Sequence, residues 1–253
     1  MSPLGIGLIV FVCTFGSAML GFYLRSVLPD HHLSDDSMRV VTLSTGLIAT
    51  LAAVVLGLLI SSAKTSFESI SDEVTQTAFK VVLLDRSLAN YGPETKEARD
   101  LLHRAFASAI EMIFAEKGSR LTKLAAPERF TWMEQFQAKL RELAPRNDAQ
   151  RSLQSRALEL SNELVQMRWL VIAHERGAIL PPFLVVLVLW LAIIFAGFGL
   201  HTANNSIVLA TLFVCALSVS GAIFLIEELD RPLEGVMQIS SAPLRNALAQ
   251  LGQ

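Results

Sequence analysis

Four apolar runs, each at least 20 residues long and free of Asp, Glu, Lys, Arg and His, constrain this chain more than any other feature. They extend from Leu4 to Leu24, from Val40 to Ala63, from Pro181 to Leu200 and from Ser206 to Ile226. About 20 helical residues are needed to cross the ~30 Å hydrocarbon core of a bilayer, so each run predicts a transmembrane helix. The mean hydropathy of +0.48, with only 17% charged residues, is typical of a membrane protein.

The segment 64–176 differs sharply from the four spans in composition. It holds 17 of the 21 Lys and Arg residues and 16 of the 23 Asp and Glu residues, so a water-exposed domain is predicted. Apolar residues step by 3 and 4 from Phe67 to Leu88, which predicts that the second span continues into this domain as one helix. Further helices are predicted in four places: around Leu102–Ile113, around Glu128–Leu143, from Asn147 or Asp148 to Gly177, and after Ser240.

The predicted fold is therefore an all-α membrane protein with a helical-bundle insert between its second and third spans. Residues 1–63 and 177–226 carry the two pairs of spans, 64–176 the bundle, and 227–253 a short tail. Basic residues near the membrane ends concentrate on the side of the bundle, whereas the opposite side has Arg25 and Arg39. The positive-inside rule then predicts that the bundle and both termini lie in the cytoplasm.

Several classes of function are disfavoured by the sequence. It has no phosphate-binding loop, nucleophile elbow or zinc-ligand pattern, so no catalytic residue is assigned and an enzyme is not expected. The net charge of −2 gives no basic field for nucleic acid. Ion-coupled carriers usually keep ionisable groups within their spans, and these spans have none.

The second span has two distinct faces. One face consists of small residues that step by 3, 4 and 4, namely Gly46, Ala49, Ala53 and Gly57. Small residues let membrane helices approach closely, either within one subunit or between subunits. The other face, with Thr50, Val54 and Leu58, could line a symmetric pore.

An acidic segment follows the fourth span. Its carboxylates are Glu227, Glu228, Asp230 and Glu234. They could bind a divalent cation or attract ions to a pore mouth, but they could equally be interfacial charges balanced by Arg231.

Three segments resemble a known family. They are 49–64 (ATLAAVVLGLLISSAK), 83–94 (LLDRSLANYGPE) and 228–235 (ELDRPLEG). They are similar to a bacterial family described as bestrophin-like and of unknown function, and this likeness covers nearly the whole chain. The order of spans, helical insert, spans and acidic segment also resembles, more distantly, the bestrophin ion channels.

The resemblance implies a homo-oligomer, pentameric by analogy, in the bacterial inner membrane. Bestrophins conduct ions along a central pore whose apolar neck is formed by the second helix, which would place Thr50, Val54 and Leu58 on the neck helix. Eukaryotic members bind calcium after the fourth span, so Ca²⁺ is a candidate ligand of the acidic segment. The predicted function is passive ion conduction, and the alternative is a non-conducting membrane scaffold or sensor whose cytosolic bundle binds a partner.

Overall fold

The computed structural model describes residues 2–28, 35–114, 130–174, 181–202, 205–232 and 235–252. All regular structure in these ranges is helical: α1 (Pro3–Val27), α2 (Asp35–Tyr91), α3 (Lys96–Ile113), α4 (Phe130–Glu142), α5 (Asp148–His174), α6 (Pro181–His201), α7 (Ser206–Leu229) and α8 (Ala242–Gln250). The predicted all-α class is thus confirmed. Four of the helices, α1, α2, α6 and α7, are long and apolar enough to cross a membrane.

The helix boundaries follow from local chemistry. Ser2 caps α1 by accepting the N–H of Gly5 at 3.2 Å, and Asn205 caps α7 by accepting that of Ile207 at 3.3 Å. Asn147, and not Asp148, caps α5, because its side-chain oxygen accepts the N–H of Gln150 at 2.8 Å. Helix α2 runs unbroken for 57 residues and ends before Gly92, whose φ of +139° favours glycine.

The chain divides into two compact units. The first, the span unit, contains Met1–Phe67 and Gly177–Arg231, and the second, the bundle unit, contains Glu68–Arg176 and Pro232–Gln253. Since about 20 residues suffice to cross a bilayer, most of the 57 residues of α2 extend beyond a single crossing.

In the span unit, α1 packs against both α6 and α7. One cluster joins four helices through Val10, Ala52, Leu187, Leu191, Ile194 and Ile223. A second cluster joins α1, α6 and α7 through Ala18, Phe195, Leu212 and Ala216. The ring of Phe213 meets the rings of Phe11 and Phe15 edge to face, which fixes the contact between α7 and α1.

Helices α1 and α6 cross most closely at two glycines. A Cβ atom on Gly21 would overlap the carbonyl oxygen of Ala196, and one on Gly199 would overlap that of Ala18. Backbone contact of this kind is how helices associate in lipid, where apolar side chains gain little from leaving hydrocarbon. Next to this crossing, Arg25 donates to the carbonyl of Leu200 at 3.1 Å.

The bundle unit has an apolar core, and side-chain hydrogen bonds satisfy backbone groups at a helix end. The largest side chains that are completely buried there are Leu84, Leu88, Leu102, Phe136, Leu140 and Leu160. The amide of Gln154 donates to the carbonyls of Leu140 and Leu143 at 2.7 and 2.9 Å, so it satisfies the last turn of α4. The predicted helix around Glu128–Leu143 is confirmed as α4, although Glu128 lies outside the described residues.

Ion pairs connect the helices of the bundle unit. Lys80 of α2 lies 2.6 Å from Glu163 of α5, and its hydrogen bond lowers the pKa of that carboxyl. Asp85 of α2 and Arg99 of α3 form a bidentate pair, with distances of 2.7 and 2.8 Å, and the bonded carboxylate raises the pKa of Arg99. This bidentate pair, with its buried carboxylate, links α2 to α3.

The close crossing predicts a position-specific effect of alanine. Gly21→Ala should destabilise the protein by about 1–3 kcal/mol, because the added methyl group overlaps a backbone atom that cannot move aside. The measurement is thermal unfolding of the detergent-solubilised protein. The matched control is Gly16→Ala in the same helix, where the new Cβ meets nothing within 4 Å. Equal stability of the two variants would contradict the close crossing.

Candidate functional site

One face of helix α2 packs against the other helices of the span unit. Ala52 is buried, and Ile48, Val55 and Leu59 are partly buried against the same cluster. These positions step by 4, 3 and 4, so they lie on one side of the helix. Ala52 and Val55 therefore belong to the face of α2 that packs within the subunit, and Ala49 of the predicted small-residue face contacts the same cluster.

Polar contacts hold the beginning of the second span against the end of α6. The Nε2 atom of His201 lies 2.8 Å from the hydroxyl of Thr42 and 3.2 Å from the carbonyl oxygen of Met38. The Nδ1 atom lies 2.8 Å from the carbonyl oxygen of Gly197. A Cβ on Gly197 would come within 3.0 Å of the hydroxyl of Thr45, so the two helices approach closely here. This link fixes which way α2 faces.

The opposite side of α2 is exposed. Val54 is 58% exposed and Leu58 65%, and Leu43 and Leu47 continue the same apolar stripe. Thr50 is also exposed, and its hydroxyl donates to the carbonyl of Gly46 at 2.9 Å. The three predicted pore-lining residues, Thr50, Val54 and Leu58, thus share an outward stripe that is exposed in the described part of the span unit.

The four residues of the predicted small-residue face differ in solvent exposure. Ala49 is half-buried and packs against the main cluster, whereas Gly46, Ala53 and Gly57 are exposed. A Cβ atom on Gly46 or on Gly57 would meet nothing within 4 Å. These three residues therefore have no close packing partner within the described part of the subunit, and the packing role of this face stays a prediction.

The electrostatic character of the stripe follows from the sequence. Between Arg39 and Lys64 the helix carries no Asp, Glu, Lys, Arg or His, so its exposed surface consists of apolar and hydroxyl groups alone. Such a surface can face lipid, a neighbouring helix or a narrow aqueous path, and it holds no group that would bind an ion tightly.

The acidic segment forms the end of α7. Glu227, Glu228 and Asp230 are all buried, at 7%, 4% and 9% exposure. Arg231 lies 3.8 Å from the carboxylate of Glu227 and donates its backbone N–H to the carbonyl of Glu228 at 3.2 Å. Glu234 lies outside the described residues.

A calcium site at this segment stays a prediction, because Glu234, one of its four carboxylates, lies outside the described residues. Calcium takes six to eight oxygen ligands, which requires several carboxylates to converge on one point. Across the described ranges, no group of three or more His, Cys, Asp or Glu residues is placed to hold a metal ion. The proximity of Arg231 to Glu227 agrees with the alternative that these are interfacial charges balanced by arginine. A role at a pore mouth stays a prediction.

Two features of the site were missed in the sequence. Leu43 and Leu47 extend the outward stripe, and their spacing to Thr50 and Val54 in steps of 4, 3 and 4 was a usable signal. The contact between His201 and Thr42 joins residues 159 positions apart, and no local pattern points to it.

Comparison with known proteins identifies the family. Residues 12–244 match the family described as the Bestrophin-like domain. No curated protein matches the chain.

Solved structures share the fold over nearly the full length of the chain. A single-residue variant of a bacterial bestrophin homologue from Klebsiella pneumoniae has a TM-score of 0.69 at 14% identity, covering 100% of this chain and 99% of that one. A second variant of that homologue gives a TM-score of 0.68 at 13% identity, covering 98% and 99%. A structure described as a membrane protein gives 0.69 at 12% identity, covering 96% of both chains.

The predicted resemblance is thus confirmed by the family match, and the fold is that of bacterial bestrophin homologues. With four helices apolar enough to cross a bilayer, the chain is a membrane protein. It belongs to the bestrophin-like family.

Proposed function

We propose that this chain is one subunit of a homo-oligomeric channel that conducts inorganic ions passively along a central pore lined by α2. The observation that carries the proposal is the outward stripe of α2, which stays exposed in the subunit although it contains large apolar side chains. Leu43, Leu47, Val54 and Leu58 are between 58% and 73% exposed. In a ring of subunits these residues and Thr50 would face the symmetry axis, where apolar rings can gate a pore by dewetting.

The neighbouring small-residue surface would join the subunits. Gly46, Ala53 and Gly57 are exposed next to the stripe, and their size permits the close approach of a second helix. A closed ring needs two surfaces on each subunit, one for each neighbour, and the small-residue face would supply one of them. Five subunits are proposed by analogy with the bestrophins.

In this proposal, the bundle unit lies in the cytoplasm and the spans lie in the inner membrane of a bacterium. The argument for sidedness is the excess of Lys and Arg near the membrane ends on the side of the bundle. The buried carboxylates at the end of α7 would then lie near the cytoplasmic membrane surface.

Conduction is the first test. Purified oligomers in planar bilayers should pass ion current, and Val54→Ala should raise the single-channel conductance because it widens an apolar constriction on the axis. The matched control is Val55→Ala. It makes the same chemical change one residue further on, at a side chain that packs inside the subunit, so it should lower thermal stability and leave conductance unchanged.

One result would count against the channel, and another against the proposed lining face. Well-incorporated oligomers that stay silent across salts, voltages and calcium levels would favour the non-conducting scaffold or sensor. A conductance that responds to Val55→Ala but not to Val54→Ala would mean that a different face of α2 lines the pore.

Assembly is tested at the small face. Gly57→Leu should weaken the oligomer, because overpacking costs about 1–3 kcal/mol per site and symmetry repeats that cost in every subunit. Within one subunit a Cβ at this position meets no described atom within 4 Å, so a neighbouring subunit is the expected source of any loss of assembly. The oligomer size is measured by light scattering in a mild detergent.

Gly16→Leu is the control for assembly. It adds the same atoms to α1 at a position where the Cβ is also unobstructed, and it should leave the oligomer size unchanged. Normal assembly of Gly57→Leu would remove the small face from the interface.

Sidedness is tested with single cysteines in a background in which Cys13 and Cys215 are replaced by alanine. Ala149→Cys, exposed on the bundle unit, should resist a membrane-impermeant thiol reagent in spheroplasts. Ser26→Cys, exposed at the end of α1, should react readily. The reverse pattern of labelling would invert the topology.

A further inference from the structure

His201 is the last residue of α6, and its ring lies between oxygen atoms of two helices of the span unit. Nδ1 lies 2.8 Å from the carbonyl oxygen of Gly197 in α6. Nε2 lies 2.8 Å from the hydroxyl of Thr42 and 3.2 Å from the carbonyl oxygen of Met38, both in α2. A fourth contact completes the cluster, because the hydroxyl of Thr42 donates to the carbonyl of Met38 at 2.9 Å. Each ring nitrogen therefore faces a carbonyl oxygen, which can only accept a hydrogen bond.

The number of side-chain protons in this cluster depends on the charge of the ring. A neutral imidazole carries a proton on one nitrogen and the hydroxyl of Thr42 adds a second, whereas an imidazolium has one more. If the neutral ring carries its proton on Nε2, the lone pair of Nδ1 faces the carbonyl of Gly197. If the proton is on Nδ1, Nε2 can accept from Thr42, but the hydroxyl then gives up its bond to Met38. Either tautomer thus leaves one of the four contacts without a proton.

Only the protonated ring gives each of the three oxygen atoms a side-chain proton to accept. Nδ1–H then donates to Gly197, Nε2–H to Thr42, and the hydroxyl of Thr42 to Met38. Hydrogen bonds from a charged donor are also stronger than those from a neutral one. The protonated ring therefore makes the stronger connection between α6 and α2.

Charged side chains at this end of the spans act in the opposite direction. On the adjoining ends of α1 and α2, those that the structure describes are Arg25, which donates to the carbonyl of Leu200 at 3.1 Å, and Arg39, which is exposed. Both are positive and disfavour a second positive charge, although water and salt screen the exposed one. We expect the direct contacts of the ring to outweigh them, because a hydrogen bond at each contact requires the proton itself.

We propose that His201 is a proton-responsive link between α6 and α2, which holds the start of the second span more tightly when its ring is protonated. Histidine is the side chain whose charge ordinarily changes between about pH 5 and 8. The added stabilisation is present in acid and is lost as the pH rises and the ring loses its proton. Because this link fixes which way α2 faces, acid would hold the outward stripe in the orientation described above. The inference goes beyond ion conduction and does not depend on it.

The first test compares thermal unfolding of the full-length protein in detergent at two pH values. His201→Gln keeps a side chain that can donate and accept, but it removes the charge. It should lower the unfolding midpoint by about 3–8 °C at about pH 5, because hydrogen bonds from a charged donor are lost. At about pH 8 the same variant should lower the midpoint by less than about 2 °C.

His103→Gln is the matched control. It makes the same substitution at an exposed histidine of α3 in the bundle unit. It should change the midpoint by less than about 1 °C at either pH, because exposed positions of this kind contribute little to stability.

A second measurement uses the unmodified chain, so it does not depend on how well a variant folds. Hydrogen exchange followed by mass spectrometry gives the protection of the amides of 39–46, after correction for the effect of pH on the chemical exchange rate. Their protection should rise at least about fivefold from pH 8 to pH 5, as expected for one additional hydrogen bond at the start of the span. The amides of 7–12, in the first turns of α1, are the internal reference and should change by less than about twofold.

Three results would each overturn the proposal. A midpoint that falls equally at both pH values in His201→Gln would make the histidine a link that does not respond to protons. A larger fall at pH 8 than at pH 5 would mean that the neutral ring makes the stronger connection. Protection of 39–46 that stays constant or decreases on acidification would show that protonation does not tighten the start of the span.

Discussion

Hydrocarbon offers no hydrogen-bond partner, and the structure of the span unit depends on this constraint. Each span is a single helix whose backbone groups bond internally. Several hydroxyls in the spans bond to their own helix, whereas that of Ser220 donates to the carbonyl of Gly7 in α1 at 2.6 Å. Thr14 donates to the carbonyl of Val10 at 2.8 Å, and Ser218 to that of Val214 at 2.8 Å. Thr50 does the same on the outward stripe of α2. These three hydroxyls therefore already have a hydrogen-bond acceptor within their own helix.

Much of the fold could be predicted because its strongest signals are local. The four uncharged runs fix the spans, and the 3-4 pattern beyond the second span predicts the continuous helix α2. Neither glycine nor proline occurs from Leu58 to Tyr91, so nothing interrupts that helix before Gly92 and Pro93 end it. Length, periodicity and breaking residues act over a few positions, and all three can be read directly from the sequence.

The orientation of α2 could not be predicted, because polarity does not separate inside from outside in a membrane. The interior of the span unit and the surrounding lipid are equally apolar, so Ala52 and Ala53, or Val54 and Val55, look alike in sequence. The structure separates them: Ala52 is buried and Val55 packs against the main cluster, whereas Ala53 and Val54 are exposed. Thr42 with His201 in the span unit, and Asp85 with Arg99 in the bundle unit, are each brought together by tertiary packing and carry no periodic signal.

The two kinds of glycine in the span unit lead to different conclusions. Packing within the subunit explains why Gly21 and Gly199 are glycines, because each lies so close to the backbone of the opposite helix that a methyl group would not fit. No described contact within the subunit requires glycine at Gly46 or Gly57. A glycine inside a helix nevertheless lowers helix stability by about 1 kcal/mol relative to alanine. A compensating contact would have to come from outside the subunit, and a second backbone lying against α2 would supply it. Gly16 of α1 and Gly221 of α7 are equally unobstructed, so these glycines are compatible with assembly but do not by themselves assign it to α2.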